Sequence, residues 1–345
     1  MERKLASIQK VVDLQPIENA DAIEVATILG WHCVVKKGEV EIGQPVVYFE
    51  VDSILPTDKP EFAFLEKSHG RIKTIKLRGQ ISQGLALPLS TITYQDLSVF
   101  NEDDDVTELL GVTKYEPPEP GCGGGANLGG RSRGNFPHFL HKTDEIRIQS
   151  VPGVLERHRG KKFYISEKID GSSFTSYLNE DIFGICSRNL DLMRDEDADG
   201  NIKNVFWKTA VKIGLEDRVR SLGNLNLGFQ GELAGPGIQK NKYGLTDYEI
   251  FFFNVYDIDE HKYLDLHDFQ CVIEGIGLRT VPILDVIELN HTVDQLVEMS
   301  KGSSILKPVK REGIIFRPII EDFDPKLGRL SFKVINPEFL LQHKE

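Results

Sequence analysis

Cysteine is scarce in this sequence, and long apolar runs are absent from it. Four cysteines occur among 345 residues, and no two of them form a Cys-x-x-Cys pair. This pattern argues against structural zinc and against a disulfide framework, and it favours a reducing compartment. No run approaches the ~18 apolar residues that a membrane span needs, and the first residues contain no stretch resembling a signal peptide. We therefore expect an intracellular protein that does not enter a membrane.

Positive charge is also in short supply, since 41 Lys and Arg residues face 53 Asp and Glu residues and the net charge is −12. This balance does not exclude a nucleic-acid partner, because phosphate binding depends on local patches. Residues 67–79 contain no acidic residue and no Phe, Trp or Tyr, but five basic residues: Lys67, Arg71, Lys73, Lys76 and Arg78. Without aromatic side chains for base stacking, such a cluster would contact a nucleic-acid backbone. A strand edge guarded by lysines is an equal alternative.

Glycine and proline concentrate in one segment, residues 116–133 (EPPEPGCGGGANLGGRSR). Such a segment cannot hold a helix or a central strand, and no Gly-Lys-Ser/Thr follows it, so a linker is favoured over a phosphate-binding P-loop. Short β-rich runs at close spacing precede it and predict a small β-barrel. Strand-like and helical stretches follow it without regular βαβ alternation, which favours an antiparallel α+β domain. We therefore predict domains at 1–115 and 138–345, separated by a linker at 116–137.

The segment with the clearest chemistry is residues 166–173 (SEKIDGSS), which follows a strand-like run. In an extended chain, residues i and i+2 point to the same face, so Lys168 and Asp170 can share one pocket. Gly171 would permit a tight turn or the close approach of a ligand. A lysine nucleophile must be neutral, and burial or a neighbouring cation would lower its pKa from about 10.4. Alone, Lys-x-Asp-Gly is more often a plain hairpin entrance.

Five further motifs follow in order. They are SRN at 187–189, FQGELAG at 229–235, FNVYDI at 253–258, EGIIF at 312–316 and SFKVIN at 331–336. Together with residues 166–173, this series resembles the motifs of the covalent nucleotidyltransferases, which comprise DNA ligases, RNA ligases and messenger-RNA capping enzymes. The EKxxG opening and the GELAG stretch are most similar to those of ATP-dependent RNA ligases. The resemblance extends from residue 143 to the C-terminus.

The resemblance implies how the nucleotide is held. Lys168 would attack the α-phosphate of ATP and become adenylylated. Glu167 would accept from the adenine amino group and favour ATP over GTP, while Phe253 would stack on the base. Arg188 would hold the ribose or, later, the 5′-phosphate of the RNA. Glu232 would help to hold the nucleotide.

The same resemblance implies the metal and phosphate contacts. Asp170 and Glu312 would orient Mg²⁺ or Mn²⁺, directly or through water, and Lys333 would neutralise charge on the α-phosphate. Arg147, within residues 143–149 (TDEIRIQ), would face the ATP phosphates. These roles are physically coherent, because phosphoryl-type transfer depends on positioning and charge neutralisation, and Mg²⁺ prefers carboxylates, phosphate oxygens and retained water.

Two positions depart from the family pattern. The last motif usually reads Lys-x-Lys, but Ile335 stands at the second lysine. One phosphate contact would therefore be absent or supplied by another residue, with Lys326 and Arg329 close by in the sequence. Ser173 stands where many RNA ligases have Asn, which leaves open how the 3′-OH end is engaged.

The N-terminal region resembles an OB-type barrel, and such a barrel ahead of the transferase domain is similar to one branch of RNA ligases. DNA ligases and capping enzymes usually carry their OB domain after the transferase domain, whereas only residues 334–345 follow Lys333. We therefore predict an α+β protein in which an OB-like β-barrel precedes an antiparallel-sheet nucleotidyltransferase domain. The residues that would bind RNA through this barrel are Arg71, Lys73, Lys76 and Arg78.

The expected reaction is ATP-dependent sealing of 3′-OH and 5′-phosphate RNA ends, as in nick repair, through a lysyl-adenylate and an RNA-adenylate. The protein would act as a monomer on nicked duplex RNA or on free ends. Because every adenylylation motif lies after residue 143, a chain starting near Phe136 would still be adenylylated but would seal poorly. A DNA ligase or a capping-type guanylyltransferase is one alternative, and a non-enzymatic RNA-binding protein is another. The intact set of motif residues argues against the second alternative.

Overall fold

A computed structural model of the chain describes residues 3–92, 97–115 and 130–343. Most of the predicted linker, at 116–129, lies outside the described residues. Its described end differs from the prediction, because Ser132–Asn135 forms a strand that pairs with Leu190–Leu192. All four residues of this strand are exposed and none is apolar, so the sequence carries no periodicity that would reveal it.

The N-terminal region forms a coiled antiparallel sheet. Its strands are β1 (Ala6–Pro16), β2 (Ile23–Ile28), β3 (Trp31–Lys36), β4 (Pro45–Phe49), β5 (Ser53–Ile54), β6 (Ile75–Leu77), β7 (Gln80–Ser82), β8 (Leu85–Pro88) and β9 (Thr113–Lys114), with one short helix, α1 (Thr107–Leu110). The main sheet has the order β3-β2-β1-β4-β8, while β6 pairs with β7 and β5 with β9.

Strand β1 serves both halves of this sheet. Its first residues, Ala6 to Lys10, pair with β4, its last residues, from Val11 onward, pair with β2, and the pairing with β2 is irregular between Val11 and Asp13. Such a bulge bends the strand and increases its twist. The amide of Gln83 donates to the carbonyl of His32 at 2.8 Å, which ties the chain before β8 back to β3. The result is the small barrel that the sequence predicts.

The C-terminal region contains two larger sheets. Its strands are β10 (Ser132–Asn135), β11 (Ile146–Arg147), β12 (Lys162–Lys168), β13 (Ser172–Asn179), β14 (Ile182–Cys186), β15 (Leu190–Leu192), β16 (Leu227–Ala234), β17 (Glu249–Asp257), β18 (Lys262–Tyr263), β19 (Ile283–Glu288), β20 (Gly313–Pro318), β21 (Phe323–Asp324), β22 (Gly328–Arg329) and β23 (Phe332–Ile335). The helices are α2 (Gly153–Arg157), α3 (Val205–Lys212), α4 (Leu215–Arg220), α5 (Leu266–Gly275), α6 (Val293–Ser300) and α7 (Pro337–His343).

Both sheets are antiparallel with one exception. The first has the order β10-β15-β14-β13-β16-β17-β18, and the second has the order β11-β23-β20-β12-β19. The exception is the short strand β11, which runs parallel to β23. The chain crosses from the second sheet to the first between β12 and β13, so residues 169–171 lie at the junction of the two sheets.

Separate apolar cores support the two sheets. One core packs the first sheet against α3, α4 and α5, and another packs the second sheet against α2 and α6. A smaller cluster, which includes Ile169, Phe251 and Val281, lies between them. This arrangement places the end of β12 where the two sheets meet, and we call the space beside it the cleft. Across the described ranges, no helix is both long and apolar enough to cross a membrane.

Candidate nucleotide-binding and catalytic site

Lys168 ends strand β12 and points its ammonium group at a carboxylate. The antiparallel register pairs Lys168 with Gly313, which brings the preceding residue, Glu312, to the same end of the sheet. The Lys168 Nζ atom lies 2.7 Å from Glu312 Oε2, and both side chains are largely buried. Burial by itself lowers the pKa of Lys168, but the charges of Glu312, Glu232 and Asp170 outweigh it and raise that pKa well above its ordinary value. The isolated site therefore holds this lysine as an ammonium ion.

Two further carboxyl groups crowd around Lys168. Burial and repulsion from Glu312 raise the pKa of Asp170 to about 7, against the opposing effect of nearby lysines. Burial raises the pKa of Glu232 to about 8, and repulsion from Glu312 and Asp170 adds to it. The sequence predicts that Lys168, Asp170, Glu232 and Glu312 act together, and the structure brings all four into one cleft.

Gly171 allows this crowding. A Cβ atom at this position would lie 2.5 Å from the carbonyl oxygen of Leu233 and 2.9 Å from Cγ of Glu232. Neither distance is tolerable between unbonded atoms, so a larger residue would push β16 away from the chain crossing. Gly171 thus serves the close approach of the backbone of β16, whereas the sequence predicts a tight turn or the close approach of a ligand.

Glu167 lies on the apolar side of the cleft. Its side chain is 1% exposed, and its Oε2 accepts a hydrogen bond from the backbone amide of Ile305 at 2.9 Å. Its Oε1 is buried and accepts no hydrogen bond of normal geometry, while burial raises the pKa of Glu167 and the nearby Ser304 hydroxyl opposes that effect. Phe253 on β17 packs with Ile169 and Val281 in the cluster between the two sheets. The result is an apolar slot beside one unsatisfied acceptor, Oε1 of Glu167. A buried acceptor without a partner is rare in a folded chain, so this oxygen is a candidate contact for a ligand.

The opposite end of the cleft is basic. Lys333 on β23 and Arg188 after β14 both contact Asp144, with Nζ–Oδ1 and Nη2–Oδ2 distances of 3.0 and 3.1 Å. Burial opposes ionisation of Asp144, but Lys333 and Arg188 lower its pKa to about 2. Burial, together with the positive charges of Lys168 and Arg147, lowers the pKa of Lys333. One carboxylate therefore holds two predicted phosphate contacts in place.

Arg147 pairs in register with Lys333, but its guanidinium group is held by the N-terminal barrel. Its Nη2 lies 3.5 Å from Asp52 Oδ2, and its Cζ lies 5.8 Å from the centre of the Trp31 ring. Its Nη1 is buried without a hydrogen-bond partner. Next to it, the amide of Gly30 donates to the carbonyl of Gln149 at 2.8 Å. The barrel thus forms part of the surroundings of a predicted phosphate ligand.

The predicted RNA-binding cluster divides into two parts. Arg71 donates to Asp52 at 2.8 Å and its guanidinium carbon lies 3.4 Å from the centre of the Tyr115 ring, so it is engaged within the barrel. Lys76 and Arg78 are exposed on the hairpin that joins β6 and β7, and Lys73 is half-buried just before it. The structure therefore separates Arg71 from the other three, because an ion pair with Asp52, 19 residues away in sequence, occupies it.

Ile335 stands at the position of the expected second lysine. It is buried, pairs with Gly313 across the sheet, and packs against Phe339 and Leu340 of α7. Of the two candidate replacements, Lys326 is exposed and Arg329 is engaged by other groups. Arg329 is bound to Glu321 and lies over the Tyr263 ring at 3.5 Å. The residue at 335 thus anchors the C-terminal helix in place of a phosphate contact.

Four residues at the site escape sequence reasoning, and they are Asp144, Lys242, Tyr243 and Arg317. Asp144 lies in the run at 143–149 from which only Arg147 is singled out, and Lys242 lies outside the characteristic motifs. Each meets its partner only through the tertiary fold. Arg317 directly follows the EGIIF motif on β20. Side chains two residues apart on a strand point to the same face, so the face that Arg317 shares with Ile315 could have placed it beside the cleft. It is 2% exposed, bound to Glu145 at 2.5 Å and 5.4 Å from the Phe253 ring.

The carboxylates fit a divalent cation held through water. Three carboxyl groups, those of Glu312, Glu232 and Asp170, act on Lys168, and burial together with their mutual repulsion raises the pKa values of Asp170 and Glu232. Within the described ranges, however, no three His, Cys, Asp or Glu side chains are close enough together to ligate an ion directly. Mg²⁺ commonly retains several waters and binds through few carboxylates, so Asp170, Glu232 and Glu312 would hold such an ion through its waters.

Comparisons with known proteins agree on both regions. Residues 161–335 match the family model of RNA ligases, and residues 5–89 match that of an OB-fold domain. The solved structure of a Naegleria gruberi RNA ligase lysine-to-alanine mutant with ATP and Mn is 38% identical, covers 99% of both chains and has a TM-score of 0.88. The same ligase with PPi is 39% identical, covers 99% of both chains and has a TM-score of 0.87. A search of curated protein sequences finds no match.

Proposed function

Because the chain belongs to the RNA ligase family, we propose that it uses ATP to seal RNA ends bearing a 3′-OH and a 5′-phosphate, as in nick repair. The observation that carries this proposal is Lys168 at the end of β12, surrounded by Glu312, Asp170 and Glu232 in a cleft with a basic end. A lysine in a plain hairpin entrance would not be expected to have three carboxyl groups around it. We also propose the division into domains at 1–115 and 138–345, with the joining segment at 116–137 adding strand β10 to the sheet of the second domain.

The proposed reaction has three balanced steps. The neutral amine of Lys168 attacks the α-phosphorus of ATP, an N–P bond forms, the bond to the β-phosphate oxygen breaks, and pyrophosphate leaves. An oxygen of the RNA 5′-phosphate then attacks the same phosphorus, which releases the lysine and gives an RNA-adenylate. Finally the RNA 3′-oxygen attacks the 5′-phosphorus, a phosphodiester forms and AMP leaves. The proton of Lys168 must be lost before the first step, since only the neutral amine is nucleophilic.

Lys168 and its carboxylate partners explain why the nucleophile is inactive on its own. In the isolated cleft Glu312 holds the lysine as an ammonium ion. A divalent cation, when bound, would replace the ammonium group of Lys168 as the counter-charge of Asp170 and Glu312. The pKa of Lys168 would then fall. Mg²⁺ and Mn²⁺ are both compatible with this donor set. The Naegleria gruberi ligase, whose structures contain Mn with ATP and with AMP, supports the assignment.

Selection of adenine follows from Glu167 and Phe253. The unpartnered Oε1 of Glu167 can accept from the exocyclic amino group of adenine, whereas guanine carries a carbonyl oxygen at the corresponding position. Two acceptors facing each other in a buried slot would both remain unpaired, which costs about 1–3 kcal/mol. Phe253 offers a ring face to the base, and Arg317 lies behind that ring. The pocket therefore favours ATP over GTP.

Lys333, Arg188 and Arg147 would receive the phosphates. Asp144 now holds Lys333 and Arg188, so a phosphate would compete with it for the same donors. Arg147 has one buried nitrogen without a partner, which is a donor available to an oxyanion. We propose that these three residues stabilise the charge that develops on the α-phosphate and on the leaving pyrophosphate.

RNA would bind along the hairpin of β6 and β7. Lys76 and Arg78 are exposed there, and Lys73 lies at its base. Because the rest of the protein is acidic, these residues would confine the polyanion to one side of the molecule. Contacts of this type weaken steeply with added salt, since each neutralised phosphate releases counterions.

Uptake of label from ATP carrying the label at its α-phosphate tests the proposed chemistry. We expect a labelled protein band that survives denaturation and disappears in Lys168→Met. The matched control is Lys162→Met, which removes an exposed lysine at the other end of the same strand and should leave labelling unchanged.

Three outcomes would contradict parts of the proposal. Label that persists in Lys168→Met would show that another residue is the nucleophile. Equal labelling from GTP would remove the role of Glu167 and favour a guanylyltransferase. Efficient sealing of nicks in all-DNA duplexes, with little sealing of RNA, would favour a DNA ligase.

A further inference from the structure

A strained loop between β16 and β17 reaches into the cleft. Three consecutive residues, Gln239, Lys240 and Asn241, have positive φ angles of 44°, 59° and 48°. None of them is glycine, so each carries a conformational cost that persists only where surrounding contacts impose it. The Asn241 side chain closes the loop on itself, donating to the Leu245 carbonyl at 2.9 Å and accepting from its amide at 3.0 Å. Backbone strain of this kind often occurs at functional sites, so we ask what the loop contacts.

The loop presents two residues to Asp170. The Nζ of Lys242 forms an ion pair with Asp170 Oδ2 at 2.6 Å. The next residue, Tyr243, accepts a hydrogen bond at its Oη from the backbone amide of Asp170 at 2.7 Å. Asp170 is therefore held by its side chain and by its backbone from a single loop. The loop lies 69 to 73 residues further along the chain.

Lys242 is itself held on its far side. Its side chain is 8% exposed, and its ammonium group lies 4.5 Å from the centre of the Phe339 ring in α7. A buried lysine is costly to desolvate, and it is retained only with a charged partner or a ring face. Here it has both, so its position is set by the loop, by Asp170 and by the C-terminal helix.

We propose that Lys242 is a positioning residue for lysine adenylylation, which holds the Asp170 carboxylate at the mouth of the cleft where Asp170 serves the metal's water shell. This inference rests on the proposed function, since it gives Asp170 a role in the first step. Lys242 forms its ion pair with Asp170, so we assign it an effect that is exerted through Asp170. The position of the C-terminal helix, through Phe339, thereby becomes part of the active site.

A role limited to stability would have different consequences. Loss of an ion pair that only supports the fold would lower the unfolding temperature and leave the metal requirement of the folded protein unchanged. Loss of a positioning contact would change how tightly the metal is held. Partners that orient metal-site groups typically contribute about 10- to 100-fold in metal affinity or activity.

The test compares Lys242→Met with Lys240→Met. Methionine keeps the unbranched stem over Phe339 and removes the charge, while Lys240 is an exposed lysine two residues away in the same loop. The rate of lysyl-adenylate formation in a single turnover is measured over a range of Mg²⁺ concentrations at saturating ATP. We expect Lys242→Met to need about 10-fold more Mg²⁺ for half its maximal rate, and Lys240→Met to behave as wild type.

A second measurement does not depend on turnover. In a Lys168→Met background, free Mn²⁺ is titrated in the presence of ATP and followed by its electron paramagnetic resonance signal. Addition of Lys242→Met should weaken Mn²⁺ binding about 10-fold. If Lys242→Met proves unstable, Lys242→Gln replaces it, and thermal unfolding of each variant is measured alongside.

Unchanged metal dependence in both measurements would overturn the role of Lys242, whether or not the unfolding temperature falls. An equal effect of Lys240→Met would overturn it as well, because the loop's general charge would then suffice. If the wild-type chain takes up no label from ATP, the proposed function fails, while the Mn²⁺ titration still decides whether Lys242 supports the metal.

Discussion

Glu312 illustrates at the residue scale how one carboxylate can serve two purposes. In the isolated cleft it holds Lys168 as an ammonium ion at 2.7 Å. In the proposed reaction it turns to the water shell of the metal and leaves Lys168 free to lose its proton. The same carboxylate raises the pKa values of Asp170 and Glu232, so it also contributes repulsion to the folded state.

Replacement of Glu312 by Gln separates these purposes. We expect lysyl-adenylate formation to fall about 100-fold, because the metal loses a charged partner. The fold should survive with an unfolding midpoint within about 3 °C of wild type, since loss of the Lys168 pair is offset by relief of carboxylate repulsion. Single-turnover labelling and thermal unfolding measure the two quantities.

The control for this substitution is Glu338→Gln. Glu338 lies on α7 and forms an exposed ion pair with Lys310. This variant should therefore behave as wild type in both measurements. A Glu312→Gln protein that is adenylylated at the normal rate over a range of Mg²⁺ concentrations would show that Glu312 has no part in organising the metal.

At the scale of elements, a buried ion pair joins β20 to the segment before β11. Arg317 is 2% exposed and binds Glu145, while its Nε and Nη1 are buried without hydrogen-bond partners. Burial opposes ionisation of Glu145, but Arg317 and Lys333 outweigh it and lower the pKa of Glu145 to about 2. The pair also lies behind Phe253, so it supports the wall on which the base would stack.

Glu145→Gln should therefore be strongly destabilising. We expect a loss of about 3 kcal/mol in the free energy of unfolding at pH 7, because the substitution leaves a buried guanidinium without its counter-charge. A carboxyl group with a depressed folded-state pKa contributes stability that is present above its unfolded pKa and is lost as pH falls through the folded value. The difference between wild type and variant should shrink between about pH 4.5 and pH 2.

Chemical denaturation at several pH values measures this difference. The matched control is Glu298→Gln on α6, where Glu298 is 72% exposed in its pair with Lys301 and should contribute less than about 0.5 kcal/mol. Equal stability losses for the two variants, or a Glu145→Gln effect that does not change with pH, would show that the buried pair contributes little.

On the scale of the whole molecule, the barrel and the transferase region meet at the phosphate end of the cleft. Trp31 donates from Nε1 to the Ser150 hydroxyl at 3.3 Å, and Ser150 in turn donates to Glu50. Asp52 faces the guanidinium of Arg147. A Cβ atom on Gly30 would lie 3.0 Å from Cα of Gln149, so the two backbones are in close contact. These contacts link the barrel to Arg147 itself.

This interface changes the expectation for a chain that starts near Phe136. The positions of the motifs predict that such a chain still becomes adenylylated, whereas the contacts of Arg147 predict that adenylylation also weakens. Without Asp52 and Trp31, the Arg147 side chain would be exposed and mobile. We expect the rate of lysyl-adenylate formation to fall at least about 10-fold, with circular dichroism confirming that the shortened chain is folded.

Two results would decide between the expectations. A shortened chain that loads AMP at the full rate but seals poorly would support a barrel that only clamps RNA. A shortened chain that loads AMP slowly, with the full-length Lys76→Gln/Arg78→Gln variant loading normally, would support a barrel that positions Arg147.

Local patterns in the sequence were sufficient for much of this protein. One of the short β-rich runs before the linker, residues 45–49 (PVVYF), forms β4, whose side chains enter two cores alternately. One of the helical stretches after the linker, residues 204–213, corresponds to α3, and Asn204 caps this helix by accepting from the Trp207 amide. The resemblance places the OB-fold domain before the RNA ligase domain, and the comparisons confirm that order. Each of these signals is contained within a few neighbouring residues.

Only the tertiary structure decided which distant side chains meet. Lys242 reaches Asp170, Asp144 joins Arg188 to Lys333, and Asp52 of the barrel holds both Arg71 and Arg147. Periodicity and motif spacing describe the chain over one element at a time, whereas these contacts depend on strand register and on the packing of one sheet against another. The sequence by itself determined which lysine is the candidate nucleophile. The fold determined which charges surround that lysine, and therefore when it can react.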